Sequence, residues 1–165
     1  HVYFRKHVYF TLLKAMHPEI YMLPDDVEIV AYGGKDALKN TQVLQFMLSR
    51  LDRVFITFDL DAEKEVRPKL DSIGLVVDQD FCSVGGNRPG CECIEGLLPE
   101  TILAEVYSEN VAAVTALGST NSAAKKLAKS NLKRAALEKF RGSQLTSSEL
   151  VEMAKLMKKI AKAFR

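Results

Sequence analysis

Hydrophobic positions along the chain change period several times, and each change marks an element. From residue 1 to 17 they recur at helical spacing, with Phe4, Val8, Leu12 (or Thr11) and Ala15 on one side, until Pro18 ends the run. Leu23-Pro24-Asp25-Asp26 is a turn by composition. The stretch 27–32 reads as a strand that runs into Gly33-Gly34-Lys35-Asp36 and then a helix over 37–50. Residues 54–58 are apolar, β-branched or aromatic without alternation, the composition of a strand buried on both faces. A helix follows over 62–73, with Gly74 suited to its left-handed stop. Residues 75–77 form a third short strand and 81–84 a candidate fourth.

Beyond the sheet pattern, Gly85-Gly86-Asn87-Arg88-Pro89-Gly90 cannot be regular structure. A short helix over 91–99 stops at Pro99, and a second runs to Tyr107. The remainder is helical. One helix spans 121–140 with Ala124, Ala128, Leu132, Ala135 and Ala136 on one face and Gly142 as its stop. Another opens on the capping box Thr146-Ser147-Ser148-Glu149 and continues to 163, burying Leu150, Met153, Met157, Ile160 and Phe164. Short spacings in the order β-α-β-α-β predict an α/β fold with a mainly parallel sheet flanked by helices and a C-terminal helical extension. The expected division is a core over 1–118 and a basic helical segment over 119–165 packed on it.

Composition narrows the class. With 165 residues, 47% hydrophobic and 27% charged, the chain has the make-up of one soluble domain with a real core. No apolar run reaches the ~20 residues of a membrane helix, and no export signal opens the chain. Cys82, Cys91 and Cys93 are odd in number and lack C-x-x-C spacing, which argues for reduced thiols in the cytoplasm rather than a disulfide framework or zinc site. The net charge of +2 conceals a split: residues 119–165 carry 12 Lys and Arg against 3 Glu, and the rest carries 11 basic against 18 acidic residues. That split suits a metal centre beside a phosphate-binding surface, and equally a merely soluble Lys-rich tail.

Candidate chemistry concentrates where the run 54–58 ends, at Asp59, Asp61 and Glu63. Carboxylates released at the C-terminal end of a strand in an open α/β sheet lie where such sheets bind ligands, and oxygen donors suit Mg²⁺ or Mn²⁺. The plainer alternative is an acidic helix N-terminus. Glu95 rides on an otherwise apolar turn between Ile94 and Leu97, so it needs a partner if buried and none if it points to solvent. Gly33, Gly34 and Lys35 are candidate phosphate contacts at a strand-to-helix turn, although the Walker A spacing is missing. Lys155, Lys158, Lys159 and Lys162 crowd one side of the last helix, where a phosphodiester backbone would relieve their mutual repulsion. His1, His7 and His17 lack ligand partners at useful spacing and read as surface or packing residues.

The Gly-Gly-Lys-Asp turn, Phe-Asp-Leu-Asp-Ala-Glu and Ile-Glu-Gly-Leu-Leu-Pro, in that order, resemble the Toprim domain of OLD-family (overcoming lysogenization defect) ATP-dependent endonucleases over residues 1–140. The resemblance implies a Rossmann-like Toprim fold and metal-dependent cleavage of DNA, downstream of an N-terminal ATPase domain on one longer chain. A homo-oligomer is compatible with it. It further implies that Asp59 and Asp61 hold one or two Mg²⁺ or Mn²⁺ ions with Glu63 nearby, that Glu95 serves a second ion, and that Lys133 steadies charge on the phosphate. Lys125, Lys126 and Lys129 compete for that last role. Toprim domains begin with a strand ending in Glu, whereas here the chain opens inside the first helix and Glu19 lies beyond Pro18. The expected first strand and its Glu are therefore absent from this sequence. The competing expectations are a haloacid-dehalogenase-like phosphatase, which also ends a strand in Asp-x-Asp, and a non-catalytic nucleic-acid-binding or assembly module.

Overall fold

A computed structural model of the protein describes residues 4–30, 35–88 and 90–165. Strands β1 (Ile56–Asp59) and β2 (Phe81–Val84) lie parallel, in register from Ile56↔Phe81 to Asp59↔Val84. Parallel neighbours need a crossover between them. It is supplied by a 3-10 turn (Leu60–Ala62) leading into helix α4 (Glu63–Ser72). Gly74 ends that crossover at φ +85, the left-handed conformation expected of it.

Alternation along the strands divides the interior in two. Phe58 and Phe81, with ring centroids 6.0 Å apart, face a smaller core with Val66 and Leu70 of α4. Leu38 of α2 (Lys35–Leu38) and Leu44 of α3 (Thr41–Leu48) close it. Cys82 and Val84 face a larger core. That core is built from α1 (Phe4–Met16), α5 (Glu100–Glu109), α7 (Ser122–Gly142) and α8 (Val151–Lys162), with α6 (Val111–Ala116) packed at its side. Tyr9 of α1 meets Phe140 of α7 at 5.4 Å between centroids, and both are fully buried. Burying side chains of this size stabilises by roughly 1.5–3 kcal/mol each, so the contact closes the larger core. Residues on both sides of position 118 contribute to it.

The molecule is thus mixed α/β with a two-stranded parallel sheet among the described residues. Several elements depart from expectation. Residues 27–30 are not a strand, although Val27 and Ile29 pack against the larger core; positions 31–34 lie outside the described residues. Residues 75–77 contribute only a single bridge, Val77 to Phe81, because the tight turn through Asp78 and Asp80 consumes the local backbone groups. The candidate fourth strand is instead the direct neighbour of β1. Of β1 only Phe58 is fully buried, since the strand has one strand neighbour among the described residues.

In α1 the buried side is Tyr9, Phe10 and Leu13, rotated from the expected Val8–Leu12 side because the aromatic rings fill the space over α7. The helix expected over 37–50 is broken at Asn40, whose side chain accepts from Val43 N–H and starts α3 afresh. The segment 91–99 makes only a 3-10 turn, Ile94–Leu97. The Thr146 capping box is half formed: the Glu149 carboxylate takes the Thr146 N–H at 2.8 Å, and α8 begins only at Val151. Among the described residues no helix is long and apolar enough to cross a membrane.

Candidate active site

The C-terminal end of β1 delivers Asp59 toward the larger core, on the face opposite Phe58. There it meets α7: Lys133 Nζ stands 3.7 Å from Asp59 Oδ2. Glu95 arrives from the 3-10 turn after β2 and is 4% exposed, one of two polar or charged residues to count as buried among those described. Three elements far apart in sequence therefore bring two carboxylates and an ammonium together.

The loop from Gly85 to Gly96 makes this placement possible. Gly86 N–H donates to the Cys91 carbonyl at 2.8 Å. A Cβ on Gly96 would lie 1.9 Å from that same oxygen. Gly85, at φ +142, passes so close to the 92–93 peptide that a Cβ there would meet Glu92 carbonyl carbon at 2.5 Å. Glu92 turns inward to take the Gly90 N–H at 2.8 Å. Cys91 Sγ hydrogen-bonds with Tyr107 of α5 at 3.2 Å, anchoring the loop to the core. The backbone folds on itself here because glycine lets it, and Glu95 is carried inside as a result.

Both oxygens of Glu95 are buried and receive no hydrogen bond of ordinary geometry; the Cys93 thiol beside them is a weak donor. Burial, followed by Glu95, pushes the Cys93 thiol up to about 12, so it is neutral at ordinary pH. Burial alone would lower the Lys133 pKa, but the nearby Cys93, Glu95 and Asp59 outweigh it and the net shift is upward. Beside the cluster lies a small cavity of about 30 Å³, lined in part by Asp61, Cys93, Lys129 and Lys133. It has room for about one water or ion.

The expected site residues thus separate into groups. Asp59, Glu95 and Lys133 converge, and Asp61 sits on the cavity beside them. Glu63 does not join: it accepts from Ser83 Oγ at 3.3 Å and lies 3.6 Å from Arg67, toward the smaller core. The alternation of the strand carries Asp59 one way, while α4 carries Glu63 the other. Gly33 and Gly34 lie outside the described residues, and Lys35 is bound to Glu65 at 2.8 Å. Lys155 pairs with Glu152 at 2.6 Å, and Lys159 ties α8 to Asp78 at 2.7 Å. Lys158 and Lys162 are exposed and enter no ion pair among the described residues.

Sequence reasoning took Cys93 only as a reduced thiol and Lys129 only as a competitor for the role of Lys133, and it placed neither beside Glu95 or the cavity. The available signals were the i−2 position of Cys93 to Glu95 and the i−4 position of Lys129 to Lys133. Among the described residues no three His, Cys, Asp or Glu side chains group closely enough to form a ready-made metal cage. Compared with protein-family models, curated proteins and solved structures, the chain matches none.

Proposed function

We propose that this chain is the Toprim-like, DNA-cleaving part of an OLD-family ATPase–nuclease, acting with Mg²⁺ or Mn²⁺ and joined to an N-terminal ATPase domain. The observation that carries the reading is the meeting of Asp59, Glu95 and Lys133 at the end of a parallel strand. A hydrogen-bond acceptor pair as buried as that of Glu95 calls for a cation or donor.

The donor set suits Mg²⁺, which keeps several waters and is commonly held by one or two carboxylates plus substrate phosphates. Asp59 and Glu95 are the carboxylates that would hold it, with Asp61 at the cavity edge. When bound, such an ion supplies Lewis-acid polarisation of the phosphate and an activated water. Lys133, fixed as an ammonium by its neighbours, places positive charge where a phosphodiester gains negative charge in the transition state. The low-dielectric surroundings of α7 and the 91–96 loop strengthen that interaction relative to bulk water.

The test is nicking of supercoiled plasmid by the longer protein that carries this chain, with Mg²⁺ or Mn²⁺ added. Asp59→Ala with Glu95→Ala should abolish nicking, and Lys133→Ala should lower it by about 10²–10³. Cleavage retained in the double carboxylate variant would sink the reading. Hydrolysis of a small phosphomonoester without DNA cleavage would point to the phosphatase instead.

A further inference from the structure

From residue 122 to residue 137, α7 carries Lys125, Lys126, Lys129, Lys133 and Arg134 and no carboxylate. Only Lys133 of these enters an ion pair among the described residues. Elsewhere Lys14, Lys35, Lys39, Lys139, Lys155 and Lys159 each hold a carboxylate, while Lys64, Lys69, Lys158 and Lys162 enter no ion pair among the described residues but do not form a three-lysine row on one helix face. Lys125 and Lys126 also stand near the N-terminal end of their helix. The first turn of α7 contains no acidic residue, and positive charge near a helix N-terminus opposes the macrodipole by roughly 0.3–1 kcal/mol. Lys125, Lys129 and Lys133 repeat at i, i+4 and i+8, so the like charges repel along one face as well. Among the described residues only the Asp59 contact of Lys133 offsets this arrangement. An external polyanion would offset the rest.

We infer that the Lys125–Lys129–Lys133 face of α7 is a track for one phosphodiester backbone of DNA, ending at Lys133 beside the small cavity and Asp59. The inference rests on the nuclease reading for its endpoint and adds the path by which substrate reaches it. Successive lysines are ~6 Å apart along the helix axis, comparable with the step between neighbouring phosphates of one strand. Lys129 and Lys133 line the cavity, and Lys125 extends the row outward by one turn. Asn121 already occupies the Ala123 and Ala124 N–H groups at 2.9 and 3.1 Å, so the side chains, not the helix terminus, make the phosphate contacts. The track replaces the last helix as the main contact surface, since two of the four lysines there are held by Glu152 and Asp78.

The experiment measures binding of a fluorescein-labelled DNA duplex by anisotropy, in EDTA, across a series of salt concentrations, with the full chain. Lys125→Gln combined with Lys129→Gln should weaken binding at least about tenfold at 0.1 M salt and flatten the salt slope by about 1.8, two phosphate contacts at −0.9 each. Lys125→Arg with Lys129→Arg should restore it. Arg53→Gln with Lys69→Gln, a charge-matched pair remote from the C-terminal end of β1, should leave it unchanged. The track is overturned if the α7 pair binds like the unaltered chain, if the charge-matched pair weakens binding equally, if Lys158→Gln with Lys162→Gln is the variant that loses it, or if the unaltered chain does not bind. Because no metal is present, failure of cleavage with α7-dependent binding intact would remove the nuclease reading and leave the track standing.

Discussion

Two lysine–carboxylate assemblies in this molecule use the same residue types to opposite ends. On the outside, Glu65 of α4 is gripped by Lys35 and Lys39, and its carboxyl falls to about 2, first through the Lys35 hydrogen bond. Its charge is fully met, water screens it, and it joins α2 to α4. Inside, Asp59 and Glu95 share the neighbourhood of Lys133, and the Glu95 oxygens lack ordinary hydrogen bonds. A surface pair that is satisfied has no remaining capacity for a ligand. A half-buried cluster in which the Glu95 oxygens lack ordinary hydrogen bonds retains it.

The sharpest way to break this comparison is Lys133→Met. Removing the ammonium leaves the buried Glu95 and the half-buried Asp59 without it, and destabilisation of about 3 kcal/mol is expected in urea unfolding at low salt. A loss as small as that of an ordinary surface lysine would show the cluster to be solvated. Gly96→Ala comes next. Its Cβ would collide with the Cys91 carbonyl, so the loop must yield, at about 1–3 kcal/mol, and Glu95 with it. Gly142→Ala, with open space around it, is the companion that should leave stability nearly unchanged.

The Cys93 thiol sharpens the interior side of the comparison. Its pKa of about 12 lies above the unfolded value, so its contribution is intact below ~8.5 and is lost as pH rises through about 12. All three cysteines are buried, so a thiol reagent at pH 8 should react negligibly with the native chain and with three thiols after denaturation. The smallest effect belongs to Glu65. Its depressed pKa gives a contribution present above the unfolded value and lost as pH falls toward about 2. An NMR titration should find its midpoint near 2 at low salt, and moderate salt should move it back upward.

How legible each feature was follows from the range of the forces behind it. Gly74, the α4 crossover and the two parallel segments were readable because they depend on local periodicity and turn chemistry. The break at Asn40 was not, since a helical hydrophobic pattern continues across it while a single side-chain cap decides otherwise. The rotated face of α1 was set by Phe140, more than a hundred residues away. At the site, Asp59 was legible from an abrupt end to an apolar run. The burial of Glu95 depended on the approach of Gly96 to Cys91, and the separation of Glu63 from Asp59 on strand parity. Neither is written in spacing alone.

The union of α1 with α7 has a consequence for how the chain comes into being. The strand pair and its crossover lie within residues 56–84 and can assemble as soon as that stretch is made. Tyr9, Phe10 and Leu13, made more than a hundred residues before Phe140, find their partners only when Phe140 and α8 have appeared. From the making of α1 until Phe140 is made, that helix therefore presents an uncovered aromatic surface. The nascent chain is a natural client for chaperones that hold such surfaces, and the arrival of α7 and α8 releases it.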